Sequence, residues 1–170
     1  MKAIALDPGG HTGWALWDSV SGKFIYGQLE DDNHHLELWD LLMEEDQYYN
    51  TGRAGNMLII CERFDHRNNQ FAELISKEYI GVVHLFEQAA NKVSLGHARF
   101  PNVVWVGSDK MKWATDEKLT KLKLMIRPKI KNKDALAAMR HLVGYICNYG
   151  GTDTDILRAR NQMLNTLKED

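Results

Sequence analysis

Three carboxylates stand where buried segments end, and together they could hold divalent metal ions. Asp7 closes the apolar run Ala3-Ile-Ala-Leu6 and is followed by Pro8-Gly9-Gly10. Glu62 closes a second run, Met57-Leu-Ile-Ile-Cys61. Asp134 follows Asn132-Lys133 at the start of an apolar-periodic segment. Each acid alone has an ordinary structural reading as a turn, cap or surface ion-pair residue, and Asp before Pro-Gly is common turn chemistry. The joint pattern is more specific. Anions drawn close repel and need cations between them, and oxygen donors suit Mg²⁺ or Mn²⁺. Two such ions about 4 Å apart can activate a water and stabilise a leaving oxygen in phosphodiester hydrolysis.

For the acids to meet, the chain must bring distant segments to one edge. The opening run, Gly13-Trp-Ala-Leu-Trp17 and Gly22-Lys-Phe-Ile-Tyr-Gly-Gln-Leu29 read as three closely connected strands in an antiparallel meander. Residues 31–46 read as a helix on Leu36, Trp39, Leu42 and Met43. Residues 57–62 form a continuous apolar strand, as expected for one buried on both faces. A long helix is expected from Phe71 to Val93, carrying Leu74, Ile75, Ile80, Val83, Leu85 and Phe86. Asn102–Val106 is the fifth strand, and 109–124 reads as a basic helix. After Pro128, a helix from Asn132 to Tyr149 should bury Ala135, Leu136, Met139, Leu142, Val143 and Ile146 and stop at Gly150-Gly151. Asn132 is suited to cap it, which places Asp134 in the first turn, where the helix dipole favours an anion. Thr152-Asp-Thr-Asp155 resembles a capping box for a last helix ending near Leu167. The expected fold is α/β: a mixed five-stranded sheet, three antiparallel strands then parallel ones, flanked by helices.

The 170 residues suit one domain with a sizeable core. No apolar run is long enough to span a bilayer, and no signal-peptide pattern opens the chain, so a cytoplasmic location is expected. Cys61 and Cys147 sit in separate apolar runs and read as buried thiols in a reducing compartment. No Cys or His pair has zinc-finger spacing, and His34-His35 lacks a third ligand nearby. Net charge is −2, but it is segregated: residues 1–62 carry −8 and residues 110–133 carry +7. A local basic surface is therefore open to the chain, although a charge run is commonly a solvated face.

Asp7-Pro-Gly-x-x-Thr-Gly-Trp-Ala resembles the first motif of RuvC-type Holliday junction resolvases in the RNase H-like superfamily. Ile59-Ile-Cys-Glu62 resembles their second motif and Lys133-Asp134-Ala-Leu-Ala137 their third. Tyr79-Ile-Gly-Val-Val resembles the helix after the family's catalytic Glu, and the likeness runs from residue 3 to about 146. The resemblance implies one RNase H-like nuclease domain over residues 1–170, acting as a homodimer on branched DNA with Mg²⁺ (or Mn²⁺). It implies Asp7, Glu62 and Asp134 as catalytic metal ligands. The chain's shortness suggests a bacteriophage-type member acting in the host cytoplasm. One position departs from the pattern. Three residues before the third-motif Asp the family usually has an acid or a His, and here stands Lys131, whose ammonium group cannot ligate a metal. Three readings stay open: weaker binding of one metal, compensation by another group, or a Lys131 contact to phosphate.

Candidate DNA contacts are Lys110, Lys112, Lys118 and Lys121 in the basic segment, with Arg63 and Arg67 directly after Glu62. His66 lies in the same loop. Phe64 suits either stacking on bases near a junction or folding back on the core. His141 lies seven residues after Asp134 on the same helical face; a core histidine is the simpler reading and proton transfer the sharper one. Two other functions compete with the endonuclease. Lys131 motivates a junction-binding protein without catalysis. The Asp-x-Gly pattern also suits an actin-like phosphate-binding fragment, but that fold needs two such halves.

Overall fold

The computed structural model describes residues 1–9, 11–29, 34–50, 57–63, 70–93, 102–124 and 132–168. Strands β1 (Lys2–Asp7), β2 (Gly13–Asp18), β3 (Phe24–Gln28), β4 (Met57–Glu62) and β5 (Asn102–Val106) make one sheet in the order β3-β2-β1-β4-β5. β1, β2 and β3 pair antiparallel, and β1, β4 and β5 pair parallel. The mixed five-stranded sheet expected from the sequence is the one observed. β1 and β4 occupy its centre, and Ala3 to Leu6 and Ile59 to Cys61 are fully buried. That position explains their uninterrupted apolar sequence, since both faces of each strand are covered.

Side-chain alternation sorts the core into two layers. On one face, Ala3, Ala5, Ala15, Leu58 and Ile60 pack with Met139, Leu142, Val143 and Ile146 of helix α4 (Lys133–Cys147) and with Ile156 and Met163 of α5 (Thr154–Lys168). On the other, Ile4, Leu6, Leu16, Ile59 and Cys61 pack with Leu38 and Leu42 of α1 (His34–Asn50) and Tyr79, Val83 and Phe86 of α2 (Gln70–Val93). Buried Lys2, at the start of β1, pairs with Glu45 of α1. Among the described residues, no helix is long and apolar enough to cross a membrane.

Several expectations are adjusted by packing. Leu36 of α1 is 64% exposed and Leu38 takes its place inside; Leu85 of α2 is 59% exposed, and the buried stripe runs Ser76, Tyr79, Val83, Phe86. The basic segment is two short pieces rather than one helix: a 3-10 helix (Lys110–Trp113), then α3 (Asp116–Lys121) capped by Thr115. The Thr115 hydroxyl accepts from the Lys118 amide, and Lys123 closes the segment at φ 57°. α4 ends at Cys147, short of the glycine pair. α5 is capped by Asp153, whose Oδ1 accepts from the amides of Asp155 and Ile156, so Thr152 is not the cap.

The alanine-rich face lets α4 lie close to the sheet, and at Gly13 the approach is closest. A methyl group there would sit 2.0 Å from the Asp134 carbonyl oxygen and 2.5 Å from the Ala135 amide nitrogen. Gly13 is also the antiparallel partner of Asp7. One missing side chain thus sets the first turn of α4 directly over the end of β1. Gly13→Ala should cost about 1–3 kcal/mol through overpacking. Gly81→Ala, in open space on α2, should instead stabilise by roughly 0.5–1 kcal/mol through helix propensity. Urea unfolding of both variants measures this; equal effects would contradict the close approach.

Candidate metal centre

The register that sets Leu6 beside Cys61 carries Asp7 and Glu62 out of the same end of the sheet. Both lie on the α4 side, in step with Ala3, Ala5, Leu58 and Ile60. The turn after Asp7 is fastened from the opposite face: the hydroxyl of buried Ser76, on α2, donates to the Pro8 carbonyl at 3.1 Å. Beyond Glu62 the ladder continues, with the Arg63 amide donating to the Val106 carbonyl at 2.7 Å. Gly10 lies outside the described residues, and Gly9 is half-buried.

Asp134 approaches from α4, but it is not among the ligand atoms that lie within 4.8 Å of one another. Asn132 caps the helix as expected, its side-chain oxygen accepting from the amides of Asp134 (3.1 Å) and Ala135 (3.3 Å). Asp134 is half-buried in the first turn, at the positive end of the helix dipole. Its charge reaches Asp7.

The sequence pointed to a fourth group without settling its role. His141, two turns along α4 from Asp134, is completely buried as a core histidine would be, yet its Nε2 lies 3.0 Å from Glu62 Oε2. Asp7, Glu62 and His141 each present a ligand atom, all within 4.8 Å of one another. Seven-residue spacing put His141 on Asp134's face; nothing in the sequence paired it with Glu62.

These groups repel one another as carboxylates. Burial, a hydrogen bond with Glu62, and the charges of Glu62 and Asp134 push the Asp7 carboxyl up to about 8. The nearby Cys61 thiol is also held well above its ordinary range, by burial first and then by the charges of Glu62 and Asp7. A divalent cation between the acids would relieve this crowding, and the hard oxygen donors suit Mg²⁺ or Mn²⁺. The donor set therefore fits the ions expected from the sequence.

The candidate DNA contacts divide. Arg63 is exposed, one residue past Glu62, and Lys112 is exposed in the 3-10 helix that follows β5. Lys118 lies over the Trp113 ring at 3.8 Å and donates to the Trp113 carbonyl at 2.9 Å. Lys121 donates to the Leu167 carbonyl at 3.0 Å, near the end of α5. Both ammonium groups thus have work inside the fold. Phe64, His66, Arg67 and Lys131 lie outside the described residues, as does the side chain of Lys110. His11 is exposed in the first turn, and His35 stacks on Tyr79 with its Nε2 3.2 Å from Glu78. Cys61 and Cys147 are free and buried, as their apolar settings suggested.

The sign of the Asp7 effect gives a test. An ordinary Asp carboxyl titrates near 3.8, and here the folded value is about 8, so between them the folded chain binds more protons than the unfolded chain. Stability therefore falls as pH rises through that window. In EDTA, unfolding free energy should decline from about pH 5 to about pH 8, and Asp7→Asn should flatten the decline. Parallel pH profiles for the two proteins would contradict the crowding.

No protein-family model matches the chain, and no curated protein does. Among solved structures it resembles RuvC of Thermus thermophilus in complex with a Holliday junction substrate. The TM-score is 0.57 at 13% identity, covering 85% of this chain and 94% of that one. A second structure of Thermus thermophilus RuvC gives a TM-score of 0.52 at 17% identity, with 85% and 95% covered. At such low identity the likeness is one of fold: the chain has the RuvC-like form of the RNase H-like fold.

Proposed function

We propose that the chain is a metal-dependent endonuclease that nicks the phosphodiester backbone of Holliday junctions and other branched DNA. The observation that carries this reading is the meeting of Asp7 and Glu62 at one end of two central parallel strands, within reach of Asp134's charge. The RuvC structure with its Holliday junction substrate supports the choice of branched DNA.

Asp7, Glu62 and Asp134 would hold Mg²⁺ or Mn²⁺. Such ions, when bound, supply an activated water and stabilise the leaving oxygen. The chain's own part is placement. Asp7 and Glu62 stand on strands buried on both faces, so their backbones have little freedom. Asp134 is fixed by the Asn132 cap and the contact of α4 with Gly13. Of the candidate contacts, Arg63, one residue past Glu62, and Lys112 are exposed and available to phosphate. Phe64, Arg67, Lys110 and Lys131 remain proposed contacts from the sequence. Lys118 and Lys121 are weaker proposals, since internal carbonyls hold them.

The whole of residues 1–170 is read as one nuclease domain. Two strands must be cut to resolve a junction, so a homodimer is part of the proposal; exposed Leu85 on the long helix α2 supports it. Buried, unpaired Cys61 and Cys147 fit action in a reducing cytoplasm.

Incubation with end-labelled four-way junction and linear duplex tests the function. In Mg²⁺ the protein should nick the junction faster than the duplex. Asp7→Asn or Glu62→Gln should remove several kcal/mol of transition-state stabilisation, about a thousandfold in rate. Tight junction binding without cleavage in Mg²⁺ or Mn²⁺, or undiminished cleavage by Asp7→Asn, would refute the nuclease.

A further inference from the structure

We infer that His141 is a positioning residue, whose imidazole donates its Nε2 proton to Glu62 Oε2 and leaves the other Glu62 oxygen for a cation. This rests on the reading of Glu62 as a metal ligand. It adds to that reading a group outside the three acids.

His141 is fully buried, with Nε2 3.0 Å from Glu62 Oε2, and its Nδ1 is buried with no hydrogen-bond partner among the described residues. A neutral imidazole carries one proton. On Nε2, that proton is donated to the carboxylate, and the unpartnered site is a bare lone pair. On Nδ1, it leaves a buried N–H with no acceptor and sets the Nε2 lone pair against carboxylate lone pairs. A buried unpaired donor is the costlier fault. A doubly protonated ring would share that fault at Nδ1.

The same accounting separates positioning from ligation. A histidine that ligates a metal through Nε2 must carry its proton on Nδ1, and such histidines nearly always donate it to a carboxylate, carbonyl or water. Among the described residues His141 Nδ1 has no carboxylate or carbonyl acceptor. A hydrogen bond from Nε2 does something else of use. Glu62 stands against Asp7, and repulsion would turn its carboxylate away. A donor fixed in the core holds it in place and selects which oxygen faces the site.

The test reads the tautomer directly. Long-range ¹⁵N–¹H correlation spectra of histidine-labelled wild type, assigned by loss of one signal in His141→Leu, are recorded in EDTA and in Mg²⁺. Nε2 should be protonated and Nδ1 bare in both. A proton on Nδ1 in either condition overturns the inference, and its appearance with Mg²⁺ would mark a ligand. Mn²⁺ titration calorimetry gives a second readout. His141→Leu should weaken binding about tenfold or more, while His141→Gln, which restores an N–H donor, should stay within roughly threefold of wild type. Wild-type affinity in His141→Leu, or no recovery with Gln, overturns it as well. Neither measurement uses DNA or cleavage, so failure of the nuclease reading would be seen separately.

Discussion

Parallel pairing of β1 with β4 forces two carboxylates together, and much of the molecule serves to tolerate it. The register that buries Leu6 beside Cys61 leaves Asp7 and Glu62 no separate exits. Their repulsion shows in the Asp7 carboxyl, raised to about 8 by burial, by its bond to Glu62 and by neighbouring charge. Perturbed carboxyls of this kind cluster at functional sites. Neighbouring elements contribute the restraints: Ser76 on the Pro8 carbonyl, Val106 on the Arg63 amide, and from α4 both its Asn132 cap and His141 on Glu62.

The two faces of the sheet carry different duties. The face against α1 and α2 is filled by large side chains, among them Ile4, Leu6, Ile59, Tyr79 and Phe86. The face against α4 offers Ala3, Ala5, Ala15 and Gly13. Small residues bring a helix axis closer, and here that lowers the first turn of α4, with Asp134, onto the end of β1. Interior close packing then makes the position rigid.

Much of this was legible in the sequence because burial leaves a chemical trace. A carboxylate ending a continuous apolar run is conspicuous, so Asp7 and Glu62 stood out, and Asn132 before Asp134 announced a capped helix. What could not be read was the pairing of distant side chains. His141 and Glu62 are 79 residues apart, and their contact depends on where α4 crosses the sheet. In the sequence Gly13 reads only as the start of a strand, and its contact with α4 depends on tertiary packing. The lysines raise a different point. Lys118 and Lys121 belong to a basic run, but long side chains can lay their stems along a surface and deliver the charge to a carbonyl. Charge counting has no means to see that.

The central claim is that the acids at the sheet's end form a divalent-cation site. The most direct test is a crystal grown or soaked in millimolar Mn²⁺ and measured at the manganese absorption edge. An anomalous peak bounded by Asp7, Glu62 and Asp134, absent in Asp7→Asn, is the predicted result. Anomalous density only elsewhere on the surface, with the three carboxylates unbridged, would contradict the account.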